Sequence, residues 1–163
     1  MIKNLFYQLF VVVLVFNFVS YLRETALLET DIVAPEFHLT TLDGQVLSNS
    51  DLKGKPSLVY FWAPWCGVCK HSLPNLESFY QENKMDVNVI SVVLSYESID
   101  DVHMAMVKHK LSFPTLLGNP NVADKFKITG FPTYYVLDAD GKVSGKSLGY
   151  STEVGMNLRT FNL

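Results

Sequence analysis

Six residues without a charge, Ser57-Leu58-Val59-Tyr60-Phe61-Trp62, run straight into Ala63-Pro64-Trp65-Cys66-Gly67-Val68-Cys69, and a helical period follows. No other stretch constrains the fold as tightly. The run has the length and the aromatic content of a buried strand. From Val68 to about Asn83, Leu73, Leu76, Phe79 and Tyr80 recur at helical spacing. Strand, turn and helix therefore meet at Cys66. That junction places its sulfur at a helix N-terminus, where unpaired N–H groups and the dipole favour an anion. Cys69, three residues on, shares the helical face, so its sulfur can reach the first.

These two cysteines are the only ones in the 163-residue chain, which excludes a disulfide-stapled scaffold. Half of a zinc site would use the same spacing, but a tetrahedral site needs two more ligands and there is no second cysteine pair. A structural bridge across so short a loop contributes little stability. A dithiol–disulfide couple needs one thiolate that attacks and a second thiol that resolves the mixed disulfide. The context predicts redox chemistry at Cys66 and Cys69. Lowering a thiol from ~8.5 to ~6 corresponds to about 3.4 kcal/mol of preferential thiolate stabilisation.

Beyond this junction the pattern is α/β. Phe37-His38-Leu39 and Val46-Leu47 flank the turn signal Asp43-Gly44, and Val87 to Leu94 reads as a second buried strand. Helices are expected from about Ile99 to Lys110, from Pro120 to Lys127 and from Thr152 to Thr160. Thr133–Leu137 and Lys142–Leu148 read as a hairpin around Asp140-Gly141. Strand–helix–strand units followed by a hairpin and a helix predict a mixed central sheet with helices on both faces. A hydrophobic content of 48% excludes a disordered chain, and a net charge of −3 gives no electrostatic footprint for nucleic acid.

Asn4 to Leu22 carries no charge between Lys3 and Arg23. Some 18 helical residues span about 27 Å, enough for a bilayer's hydrocarbon core. A cleaved signal peptide would want a small-x-small site, and Phe18-Val19-Ser20-Tyr21-Leu22 is bulky. A buried core helix would carry more of a polar face. Residues 1–23 are therefore expected as an uncleaved transmembrane anchor, 24–33 as a tether and 34–163 as the catalytic domain. Lysine and arginine are nearly balanced across the span, leaning towards a domain outside the cytoplasm.

Trp65-Cys66-x-x-Cys69, Pro74 and Gly130-Phe131-Pro132-Thr133 together resemble the thioredoxin fold. Ala34-Pro35-Glu36-Phe37, Asp43-Gly44, Gly54-Lys55-Pro56 and Phe61-Trp62-Ala63 resemble its TlpA-like branch, anchored in bacterial envelopes. The Trp-Cys-Gly-Val-Cys spelling is most similar to the thioredoxin-like proteins of suppressor-of-copper-sensitivity systems. The resemblance covers about residues 33 to 160. It implies a thioredoxin-like fold preceded by an N-terminal hairpin and one transmembrane helix. It implies Cys66 as the exposed nucleophile, Cys69 as the buried resolving thiol, and Pro132 as a cis proline facing them. Trp65, Phe131 and Pro132 would bind substrate, with the Phe131 backbone pairing with the substrate chain.

Two positions depart from that pattern. Thioredoxins usually carry a buried Asp where this chain has Tyr60, and some TlpA-like reductases carry a Glu where it has Ser72. A phenol with a pKa near ~10 is no base at neutral pH. Lys70 and His71 read as solvated helix residues. His103, Met104, Met106 and His109 have donor atoms that suit copper, but methionines at helical spacing are the pattern of core packing. Asp86, Asp138 and Asp140 read as structural.

The expected function is a membrane-tethered protein thiol–disulfide oxidoreductase that needs no cofactor and no metal. Its partners would be cysteine-containing envelope proteins and a membrane or periplasmic thiol-redox partner, with no nucleic acid. A Cu(I)-handling thiol protein and a redox-inert docking module are the alternatives. Metal titration, and turnover with a disulfide substrate, separate the three.

Overall fold

The computed structural model describes residues 2–161, with the side chains of 2–5, 16, 17 and 20–22 outside that description. The last two residues of the expected domain, 162–163, also lie outside it. Seven strands and five helices are described: α1 (Ile2–Glu24), β1 (His38–Thr40), β2 (Val46–Ser48), β3 (Ser57–Trp62), α2 (Gly67–Asn83), β4 (Asn88–Val93), α3 (Ile99–Lys108), β5 (Thr115–Leu117), α4 (Pro120–Lys125), β6 (Thr133–Leu137), β7 (Val143–Leu148) and α5 (Glu153–Thr160). A short 3-10 turn, Asn49–Leu52, links β2 to β3.

The five-stranded sheet has the order β5-β4-β3-β6-β7. β3, β4 and β5 run parallel, while β6 and β7 are antiparallel additions on the other side of β3. β1 and β2 form the separate hairpin expected around Asp43-Gly44. At the second hairpin, Asp138 Oδ1 accepts from the amides of Asp140 and Lys142, and Gly141 takes the left-handed φ of 83° that favours glycine. Ser98, Asn119 and Thr152 cap α3, α4 and α5 with their side-chain oxygens, which is why those helices start where they do.

Successive residues of a strand point to opposite faces, and the central strands bury both. Val59 and Phe61 of β3, with Tyr135 and Leu137 of β6, enter one core, closed by α4 and the N-terminal hairpin. Leu58, Tyr60 and Trp62, with Tyr134 and Val136, enter the other, closed by α2, α3 and α5. The mixed sheet with helices on both faces is the architecture expected. β5 is the element the sequence pattern missed: three residues after Pro114 are too few to show a period.

The N-terminal segment behaves differently from a free tether. Leu27 and Leu28 are 1% and 4% exposed and belong to the first core. Leu28 N donates to Tyr135 Oη at 3.2 Å, and Lys146 Nζ donates to Leu28 O at 2.8 Å. Asp31 N and Val143 N reach across to Val143 O and Ile32 O, both at 2.8 Å. Two leucines make no period, so the packing was invisible beforehand. Ahead of them, α1 occupies the expected span, and its side chains from Phe6 to Val15 are all exposed. Among the described residues no helix is long and apolar enough to cross a membrane. The described run from Phe6 to Val15 is about half the ~20 residues a bilayer core requires.

Candidate functional site

Cys66 is the N-cap of α2. Its backbone is extended (φ −70°, ψ 111°), and its sulfur accepts the Cys69 amide at 3.1 Å. The two cysteines form a disulfide with Cα atoms 5.2 Å apart. β3 delivers the chain to this point and α2 carries it away, so the sulfur of Cys66 sits over the free N–H groups of the first helical turn. Pro74, inside α2, has no N–H, which deprives the Lys70 carbonyl of its usual helical donor.

The two sulfurs differ in access. Cys69 is fully buried among Leu73, Tyr60 and Trp62. Cys66 is only 5% exposed, which corrects the expectation of an open nucleophile. It lines a groove of about 940 Å³ together with Trp65 and Phe131. Trp65 is 62% exposed, packs edge-on against Phe131 with ring centroids 5.7 Å apart, and donates its Nε1–H to Ser95 O at 2.8 Å. Phe131 precedes Pro132 through a cis peptide, the geometry expected there. Pro132 is buried, and its carbonyl accepts from Gly149 N at 2.8 Å, which fastens the loop to the end of β7.

The far side of the groove comes from Tyr96, Gly118, Asp124 and Ile128. Sequence reasoning missed these residues. They lie in the loops after β4 and β5, in α4 and just after it, and the parallel packing of β3, β4 and β5 brings those segments together at one end of the sheet. Gly118 carried the one usable signal. A Cβ there would meet Leu94 Cδ2 at 2.6 Å, Val92 Cγ1 at 2.7 Å and Val93 O at 2.9 Å, so only glycine lets this loop close on β4.

On the other side of Trp65 and Tyr96 lies a second cavity of about 450 Å³, bordered by Lys70, Asp101, Met104 and His109. Partial burial, then Lys108, Lys70 and His71, hold the His109 imidazole below its ordinary value. Lys70 and His71 are exposed, as expected of solvated helix residues. Met106 packs against the second core and its sulfur accepts from Thr115 Oγ1 at 3.4 Å. Met104 is 62% exposed, so the core-packing expectation holds for one methionine and fails for the other. Among the described residues no three His, Cys, Asp or Glu side chains gather to hold a metal ion.

Tyr60 and Ser72 are both fully buried. Ser72 Oγ accepts from Ser151 N at 3.0 Å, tying α2 to the segment before α5. Burial pushes the Tyr60 phenol well above its ordinary value, so it stays protonated through any physiological pH.

A disulfide at a strand–helix junction, under a cis-proline loop, belongs to a recurrent structural group, and the residues match one family model. The redoxin model covers residues 30–159. The chain belongs to the redoxin family. It is 30% identical over 128 residues to the thioredoxin-like protein YneN of Bacillus subtilis, spanning 77% of this chain and 75% of that protein. It is 33% identical over 121 residues to the thiol–disulfide oxidoreductase ResA of the same organism, spanning 74% and 68%. A thioredoxin-family thiol:disulfide interchange protein from Chlorobium tepidum superposes with a TM-score of 0.73 at 26% identity, over 82% of this chain and 96% of that one. Within the redoxin family this chain is a thiol–disulfide oxidoreductase of thioredoxin fold, with its Cys-x-x-Cys pair at Cys66 and Cys69. These relatives fit the TlpA-like branch and do not single out the copper-sensitivity proteins.

Proposed function

We propose that this redoxin is held at the bacterial cell membrane by residues 1–23 and exchanges disulfides with cysteine-containing envelope proteins on the periplasmic side. Cys66 is the attacking sulfur and Cys69 the resolving one. Trp65, Phe131 and Pro132 receive the substrate chain beside Cys66. The observation that carries this reading is the unequal placement of the sulfurs: Cys66 lines the groove, and Cys69 lies behind it without solvent contact.

The chemistry follows from that asymmetry. In the reduced protein the Cys66 thiolate attacks one sulfur of a substrate disulfide, and the other substrate sulfur leaves as a thiolate. The Cys69 sulfur then attacks Cys66, re-forming the internal disulfide and releasing the second substrate sulfur. Two electrons pass to the substrate, whose two sulfurs take up two protons. The reverse sequence oxidises a substrate dithiol. The N-terminal helix supports the membrane half of the proposal, with its exposed side chains from Phe6 to Val15, apolar but for Gln8.

Iodoacetamide at pH 7 on the reduced full chain tests the sulfur assignment. Cys66 is expected to label well before Cys69, and the opposite order, or equal rates, contradicts it. Fractionation of cells expressing the full chain tests the other half. It should remain with membranes after alkaline extraction, and its release there contradicts the anchor.

A further inference from the structure

The central sheet has a disulfide end, and the chain enters the domain beside it. Phe61, Thr133 and Leu148 pair in one row across β3, β6 and β7. One residue beyond that row β3 ends, and the turn to Cys66 follows. Gly149 N and Pro132 O join at the same end, just past Leu148. The segment before β1 tracks β7 in the opposite direction. Ala34 N donates to Gly141 O at 2.9 Å, and Val33 pairs antiparallel with Lys142. Ile32 O accepts from Val143 N, and Leu28 O accepts from Lys146 Nζ, both at 2.8 Å. Followed towards the N-terminus, the segment therefore climbs β7 from its start towards Leu148, and the end of α1 packs against β7 as well. Three strand spacings separate this outer segment from β3, about 15 Å in all.

The attachment has no slack. Leu27 and Leu28 are buried in the first core, so only Thr25 and Ala26 stand between α1 and the packed domain. That span lifts the domain no more than about 10 Å from the end of the helix. The disulfide end also carries an apolar rim. Trp65, Val68 in the first turn of α2, Tyr150 after β7 and Val154 in the first turn of α5 are all exposed. Asn75 Nδ2 donates to Tyr150 Oη at 3.1 Å and to Ser151 O at 2.9 Å, which joins α2 to the Tyr150 loop. Tryptophan and tyrosine are the side chains that favour the headgroup level of a bilayer.

We propose that the disulfide end of the domain is turned to the bilayer surface, with Trp65 and Tyr150 at headgroup level. Cys66 then serves cysteines presented at that surface, in membrane-proximal segments, and not those carried far above it. The inference rests on the reading of residues 1–23 as the anchor, and it adds the orientation of the site and the class of its substrates.

The full chain in phosphatidylcholine vesicles tests this without a variant, because its two tryptophans, Trp62 and Trp65, both lie at the disulfide end and only Trp65 is exposed. With a nitroxide on the lipid headgroup, the reduced protein is expected to lose most of the Trp65 emission that it shows in unlabelled vesicles. Emission that is unchanged overturns the proposal. Flotation of the same sample tests the anchor by itself. Protein that does not float contradicts the anchor, and the orientation falls with it; protein that floats without quenching overturns the orientation alone. A second measurement reads the substrate class. One disulfide peptide is linked to the headgroup directly, and another through about 20 prolines, a stiff spacer of roughly 60 Å. Both are confined to the same surface, so they differ in height only. The reduced chain is expected to open the directly linked disulfide about tenfold faster. Equal rates, or a faster reaction at the raised peptide, overturn the proposal.

Discussion

Tyr135 and Tyr60 lie on neighbouring strands, both without solvent contact, and the sheet sends them to opposite faces. On the first face the Tyr135 hydroxyl is doubly engaged. It accepts from Leu28 N and donates to Phe126 O, so one side chain joins the N-terminal segment, the sheet and the end of α4. On the second face the Tyr60 hydroxyl has no partner, and the same core holds the disulfide. Among the described residues the first core leaves no buried side-chain polar atom without a partner, and the second leaves one. Both faces carry packed cores and the second alone holds the disulfide, so a substitution's effect on the redox couple should depend on which face it touches.

Leu27→Ala should show the largest effect. Leu27 is buried in the first core, and removing such a side chain typically costs about 2–5 kcal/mol. Chemical denaturation should register that loss, while the glutathione equilibrium of the disulfide stays within about twofold of wild type. A loss below ~1 kcal/mol would show that the segment before Ala34 is not part of the structural face. Next is Tyr135→Phe, which strands the Leu28 amide and the Phe126 carbonyl. It should cost about 1–3 kcal/mol in the oxidised protein, where Tyr60→Phe costs nothing. Equal penalties for the two phenylalanines in the oxidised form would abolish the contrast.

The smallest effect concerns α2 itself. Burial alone would raise the Glu77 carboxyl, but hydrogen bonds from Gln81 Nε2, from Ser112 Oγ and from Ser112 N outweigh it and hold the group below its ordinary 4.5. A carboxyl lowered by folding adds stability above its unfolded value, and that stability disappears as pH falls through the lowered folded value. Glu77 is partly solvated, so the gain is on the order of a few tenths of a kcal/mol. Glu77→Gln should flatten this acid limb of the stability profile. An unchanged limb would mean that the link from the cysteine helix to the segment before β5 carries no charge dependence.

Much of this division was written in local patterns. The apolar run along β3 and the helical spacing from Leu73 to Tyr80 forecast which side chains enter the core, and Asp43-Gly44 and Asp140-Gly141 marked both hairpins. The cysteine pair was legible because a strand ended and a helix began within a few residues of it. What escaped depended on distant partners. β5 is too short for a period, and Leu27 and Leu28 are buried only because β6 and β7 lie beneath them. The groove beside Cys66, where Trp65 packs on Phe131, joins segments more than sixty positions apart. That Tyr60 lacks a partner, while Tyr135 has two, follows from side-chain directions that no local pattern encodes.

The unequal roles of the two sulfurs can be read directly by trapping. With Cys69→Ser, attack by Cys66 leaves a mixed disulfide that nothing within the domain resolves, so covalent adducts with substrate proteins should accumulate on non-reducing gels. With Cys66→Ser the remaining thiol lies buried behind the groove, and no adducts should form. Adducts from the Cys69 variant alone are the predicted result. Equal trapping by both variants, or trapping by the Cys66 variant only, would contradict the account.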